Sequence, residues 1–168
     1  MTHLQKFINK FEIAIVMIEG VFVKKLKLIP DERGKLMEML RCDDKIFKKF
    51  GQIYMTTVKP GYVKAWHYHK KQTDNFVCVK GRVRVGLYDS RKKSKTKRQV
   101  QEVILGFENP VLLQIPSGVF HGFESDCNEE SIVINIPTEP YNYKKPDEYR
   151  VNPFHNNIPF KWKGRKGR

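Results

Sequence analysis

A chain of 168 residues with 40% apolar and 12% aromatic side chains can bury one hydrophobic core, which excludes disordered and fibrous classes. The formal charge of +14 raises the question of a nucleic-acid partner. Eleven of those charges, however, sit in two acid-free runs, six in RKKSKTKR at 91–98 and five in KWKGRKGR at 161–168, so the remainder is nearly balanced. The runs read as a solvated loop and an irregular basic tail, and no nucleic acid is expected as partner.

In chain order, the first apolar run, at 12–18, is interrupted by Glu19 and is too short to cross a bilayer. It has no small-residue cleavage site behind it, so neither a membrane segment nor a secretory signal is expected and the protein is read as cytoplasmic. Further runs rich in Val, Ile, Tyr and Phe predict strands at 21–28, 36–40, 52–58, 63–69, 75–80, 82–88, 100–105, 111–115, 120–124 and 131–136. Turn residues separate them at 31–34, at Pro60-Gly61, at Gly81 and at 116–118. One helix is expected, over 43–50. Cys42, Cys78 and Cys127 are odd in number and widely spaced, which argues against a disulfide framework or a zinc knuckle; Cys78, inside FVCV, reads as a buried thiol. So many short strands point to one all-β domain over 1–168, a sandwich or barrel of the jelly-roll kind.

The stretch WHYHKKQTDNFVCVKG at 66–81 carries the chemistry. Side chains alternate along a strand, so His67 and His69 look into one space while Lys64, Trp66 and Tyr68 face the other way. Two imidazoles on one face of an apolar strand suit either a metal centre or proton transfer.

The spacing of Gly61, His67, His69, Asp74 and Gly81, with PSGVFH at 116–121, resembles the two motifs of the cupin superfamily. That resemblance implies a jelly roll in which His67, His69, Asp74 and His121 converge and could hold a divalent transition metal. A more specific resemblance runs from about 20 to 163, through DERGKLMEML, FGQIYMTTVKPGYVKAWHYH, YDSRKKSKT, IPSGVFHGF and IPTEPYNYKKPDEYR. It is to the dTDP-4-dehydrorhamnose 3,5-epimerase family.

This second resemblance implies an isomerase without a cofactor that inverts C3, C5 or both of a nucleotide-linked 4-keto-6-deoxy sugar through an enolate. It makes His67 the base and Tyr141 the acid. Arg33, Glu38 and Gln52 match positions holding the nucleotide diphosphate and its base, often across the interface of a homodimer. Lys64 stands where the family carries arginine, His69 where it has glutamine, and His121 matches a substrate-pocket histidine. Asp74 falls where a lysine near O4 is expected, with Lys70 and Lys71 as the nearest cations, and Asn152 replaces the carboxylate that orients the base. These departures keep three other readings open: a nucleotide-sugar 3,4-ketoisomerase, favoured by the HxH pattern; a metal-dependent cupin; and a sugar-nucleotide binder without activity.

Overall fold

The computed structural model describes residues 17–168. Its strands are β1 (Phe22–Lys25), β2 (Leu28–Asp31), β3 (Gly34–Met37), β4 (Tyr54–Val58), β5 (Tyr62–Tyr68), β6 (Asp74–Lys80) and β7 (Arg82–Asp89). They continue as β8 (Val100–Gly106), β9 (Val111–Ile115), β10 (Val119–Ser125), β11 (Ser131–Asn135), β12 (Tyr149–Arg150) and β13 (Lys166–Gly167). One sheet runs β1-β9-β6-β11-β4; the other runs β12-β5-β10-β7-β8, with β13 also on β5; β2 and β3 form a separate hairpin. The two large sheets form a sandwich of the cupin jelly-roll type.

Periodicity explains the layers. Phe76 and Cys78 of β6, Val83, Val85 and Leu87 of β7, and Val111, Leu113 and Ile115 of β9 meet between the sheets in the main core. The intervening residues are covered as well. Val77 and Leu112 pack beneath Met37, Met39, Leu40 and Ile46, so the 37–46 segment roofs the first sheet. Trp66 and Ala65 pack beneath Ile158, Phe160 and Trp162, so segment 158–162 roofs the second. Burial on both faces is why FVCV reads as a continuous apolar run rather than an alternation.

Two expectations change. No helix forms over 43–50, where the backbone follows turns. The Asp44 carboxylate accepts the Arg41 backbone N–H at 2.9 Å and binds the Lys24 ammonium, while Arg41 pairs with Glu38 and Asp43. These local bonds compete with helical ones over a segment too short to outweigh them. The strand expected over 21–28 divides, because the chain leaves β1 after Lys25 and enters the β2–β3 hairpin. The Asp31 carboxylate closes that hairpin by accepting the N–H groups of Arg33 and Gly34.

The basic tail is irregular up to Arg165, as expected, yet it is packed: Trp162 lies on Trp66 with ring centroids 4.8 Å apart, and β13 pairs with β5. The strand expected over 12–18 falls almost wholly outside the described residues. Among these residues no helix is long and apolar enough to cross a membrane.

The other basic run is tied down at its base. Asp89, fully buried, accepts hydrogen bonds from the Arg91 guanidinium and from the hydroxyls of Ser94 and Thr96. Burial opposes its charge, but those donors win and hold the carboxyl well below the usual carboxylate range. The spacing of Asp89, Arg91, Ser94 and Thr96 therefore serves to fix the loop between β7 and β8.

Candidate active site

The inner face of β5, flanked by β4 and the 139–150 segment, walls a cavity of about 1240 Å³. Gln52, Lys64, His67, His69, His121 and Tyr141 line it. Strict alternation would aim Lys64 away from His67, and the structure corrects this. His121 of β10 pairs with His67, but Phe123 pairs with Lys64, so β5 holds one residue more than its neighbour over that interval. The extra residue is a β-bulge, which shifts the phase of the strand. Ala65 and Trp66 both turn into the outer layer, and Lys64 rejoins His67 on the cavity side. Gly122, opposite the bulge, has no space for a side chain, since a Cβ there would strike Ala65.

Asp74 does not meet the cavity as a bare charge. Its carboxylate, 1% exposed, lies behind the imidazoles, with the Nε2 atoms of His69 and His121 each 3.3 Å from Oδ2. The amides of Gln72 and Asn135 each donate to Oδ1 at 2.7 Å. Burial pushes the carboxyl up, but His69, His121 and Asn135 outweigh it and bring it down to about 2. For His69, burial is likewise opposed and outweighed: the hydrogen bond and charge of Asp74 and the Asp147 carbonyl, facing Nδ1, raise its pKa. His121 is lowered by burial and sends Nδ1 toward the Val119 carbonyl at 3.1 Å.

His69, Asp74 and His121 thus form a closed ion-pair cluster whose ligating atoms lie within 4.8 Å of one another. These donor types fit a divalent metal, and a bound cation would act as an electrophile. The fourth residue of the cupin set, His67, stands outside the cluster. Burial first, then the charges of His121, Arg150 and His69, lower its pKa to about 3, so at neutral pH it is an uncharged imidazole.

β12 frames His67 from the other side. Arg150 pairs with His67 in register, and Glu148 brings a carboxylate oxygen to 3.8 Å from His67 Nε2. Asn152 is exposed and its side-chain oxygen accepts the N–H groups of Phe154 and His155, so it caps a turn and does not reach the imidazole. Tyr141 lies on the loop after Pro140, its N–H bonded to the Gln52 side-chain oxygen at 3.2 Å. Lys71 lines the cavity, whereas Lys70 stands over the Tyr149 ring. Arg33 and Glu38 lie on or beside the β2–β3 hairpin, away from this cavity, paired with Asp31 and Arg41.

Sequence reasoning missed Glu148, Arg150, Asp147 and Gln72. PDEYR was legible as part of a matched stretch, but nothing in it signals pairing with β5. Asp147 shapes the turn after β5 by accepting the N–H groups of Lys70, Lys71 and Gln72.

A jelly roll whose cavity gathers histidines, a tyrosine and several lysines is that of a cupin with room for a small polar ligand. The chain belongs to the dTDP-4-dehydrorhamnose 3,5-epimerase family, whose model matches residues 16–167. It is a nucleotide-sugar epimerase, an enzyme of the isomerase class. It is 40% identical to a spore coat polysaccharide biosynthesis protein of Bacillus subtilis over 87% of this chain and 97% of that one. Similarity to a probable low-salt glycan biosynthesis epimerase of Haloferax volcanii is 39%, over 80% of this chain and 87% of the relative. A crystal structure of a dTDP sugar isomerase from Desulfovibrio desulfuricans G20 superposes with a TM-score of 0.83 at 36% identity, covering 89% and 94% of the two chains.

Proposed function

We propose that this enzyme inverts C3, C5 or both of a dTDP-linked 4-keto-6-deoxy sugar, with His67 as base and Tyr141 as acid, for the synthesis of a surface polysaccharide. The observation that carries this is the shared cavity: an uncharged His67 and the Tyr141 side chain line the same space. Protons next to the 4-keto carbonyl are acidic because the electron pair left behind spreads onto O4. His67 takes one from a single face, and Tyr141 returns one to the opposite face, inverting the carbon. An imidazole held near pKa 3 is a weak base, but a diphosphate in the cavity supplies negative charge that stabilises imidazolium. Glu148, 3.8 Å from Nε2, acts in the same direction.

O4 meets Lys71 rather than Asp74, whose charge is balanced by His69 and held by two amides. His69 carries positive charge more readily than a free histidine, so the imidazolium form is available to oppose an enolate. The enzyme works as a homodimer in which Arg33 and Glu38 of one protomer serve the cavity of its partner. Their exposed position on the hairpin, away from their own cavity, supports this.

The test is exchange in deuterated water with a dTDP-4-keto-6-deoxy sugar, read by NMR. Label at C3 and C5 is expected, lost in His67→Asn by a factor of 10² or more, while a ketone that migrates to C3 would make the protein a ketoisomerase. Exchange is expected to survive a chelator. Loss on chelation and return with a divalent metal would give the His69, Asp74 and His121 cluster a catalytic cation instead.

A further inference from the structure

We propose that segment 158–168 is a strap that completes the anion subsite of the cavity, with Arg168 standing beside Lys64 to bind the diphosphate of the substrate. The proposal rests on the nucleotide-sugar reading above and assigns a role to the basic tail.

The strap is held firmly. Glu124, 1% exposed, accepts the backbone N–H groups of Lys163 and Gly164 at 2.9 and 2.7 Å while bound to the Arg84 guanidinium at 2.6 Å. Phe160 and Trp162 pack on Trp66, and Gly86 beneath them leaves space that a Cβ would fill. A frayed tail would leave the Glu124 carboxylate short of donors, and burying it so would be costly. The N–H groups of Arg165 and Lys166 then bind the Gly61 carbonyl and lead into β13.

The register of β13 fixes what it presents. Lys166 pairs with Tyr62 and Gly167 with Val63, so Arg168 follows beside Lys64. Side-by-side residues of paired strands share a face. Tyr62 and Lys64 line the cavity, and so does Arg168. Gly167 passes so close to Val63 that any side chain there would strike its backbone.

Charge supplies the ligand class. Among the described residues neither Lys64 nor Arg168 has an acidic side chain within ion-pair distance; the Lys64 ammonium is bonded to the Thr56 hydroxyl at 2.9 Å. Glu130, the nearest acid in that wall, bonds the Thr57 hydroxyl at 2.8 Å. Burial lowers the Lys64 pKa, so a second cation beside it is unfavourable until an anion arrives. An ammonium offers a point charge and a guanidinium a two-pronged fork, which together suit a diphosphate better than either alone. Lys64 and His67 are three residues apart on β5, about 10 Å at most, which is the reach from a diphosphate to the far carbons of a hexose.

The test is calorimetric titration of the full chain with inorganic pyrophosphate and with thymidine diphosphate, alongside steady-state kinetics. Arg168→Ala is expected to weaken both ligands about tenfold and to raise KM with kcat little changed. Arg168→Lys should keep part of that affinity, and Arg165→Ala, at a residue that does not line the cavity, should leave it unchanged. Unchanged affinity for both probes in Arg168→Ala, with the wild type binding them, would overturn the strap alone. A wild type that binds neither probe would overturn the nucleotide-sugar reading with it.

Discussion

At the scale of single residues the site is organised by Asp74, a carboxylate that stays charged in a fully enclosed place because His69 and two side-chain amides donate to it and His121 lies alongside. Removing one partner from a buried ion pair costs about 3–5 kcal/mol, so Asp74→Asn should lower the urea midpoint while keeping both amide contacts. Acid lability follows from the same groups. The Asp74 contribution is present above 3.8, the value of a free carboxyl, and is lost as pH falls toward about 2. His67 adds to it, because the unfolded chain takes up a proton near 6.5 and the folded one only near 3, so stability declines as pH falls through that window. His69 acts oppositely: its contribution is present below 6.5 and is lost as pH rises past its raised folded value. Urea midpoints measured against pH should therefore peak near neutrality, and His67→Asn should flatten the fall between 6.5 and 3. A variant with an unaltered acid limb would show that His67 is not buried uncharged.

At the scale of elements, the β5 bulge decides which residues reach the cavity. It depends on Gly122, whose backbone lies against Ala65 and the Lys64 carbonyl. Gly122→Ala forces the two strands apart. We expect a loss of about 1–3 kcal/mol and a larger loss of activity than of stability, because Lys64 and His67 shift together; circular dichroism melts and kinetics on the same samples would check it. An Ala variant as stable and active as the wild type would mean that β5 and β10 can separate freely there. This is also where sequence reasoning failed for a definable reason. Period-2 alternation assumes an unbroken ladder, and one extra residue reverses every assignment on one side of it. HxH was legible because both histidines lie beyond the bulge, and Lys64 was misassigned because it lies before it. The missing helix at 43–50 has a similar cause, since Asp44 bonds its neighbours instead of continuing a turn.

At the scale of the molecule, the hairpin and the segment leading into β4 expose large apolar side chains. Ile29 and Leu36 of the hairpin, Met55 of β4, and Phe50 and Ile53 before it are 44%, 56%, 60%, 62% and 58% exposed. Among the described residues β4 is also a sheet edge, with one side of its backbone free of strand partners. Exposed apolar side chains of this kind are what the homodimer proposed above would cover. A second copy is the partner that would bring Arg33 and Glu38 to a cavity. Sedimentation should give twice the 19.8 kDa chain mass, and Leu36→Lys with Met55→Lys should give monomers with little activity. Monomers of full activity would show that Arg33 and Glu38 take no part in the reaction.

The sequence by itself determined the all-β class, the shared face of His67 and His69, and the family, because alternation, turn residues and motif order are local or linear properties. It also determined that His67, His69 and His121 belong together, since strand periodicity and the family motifs both converge on them. Only the tertiary structure decided which charges meet. Asp74, which falls where a lysine near O4 is expected, sits behind two imidazoles, and Asn152 caps a turn. Glu148 and Arg150 came to His67 through a two-residue pairing, and the basic tail turned from a frayed end into a strap latched by Glu124. Those outcomes depend on register between strands far apart in the chain, and register is fixed by packing and bulges that no linear spacing records.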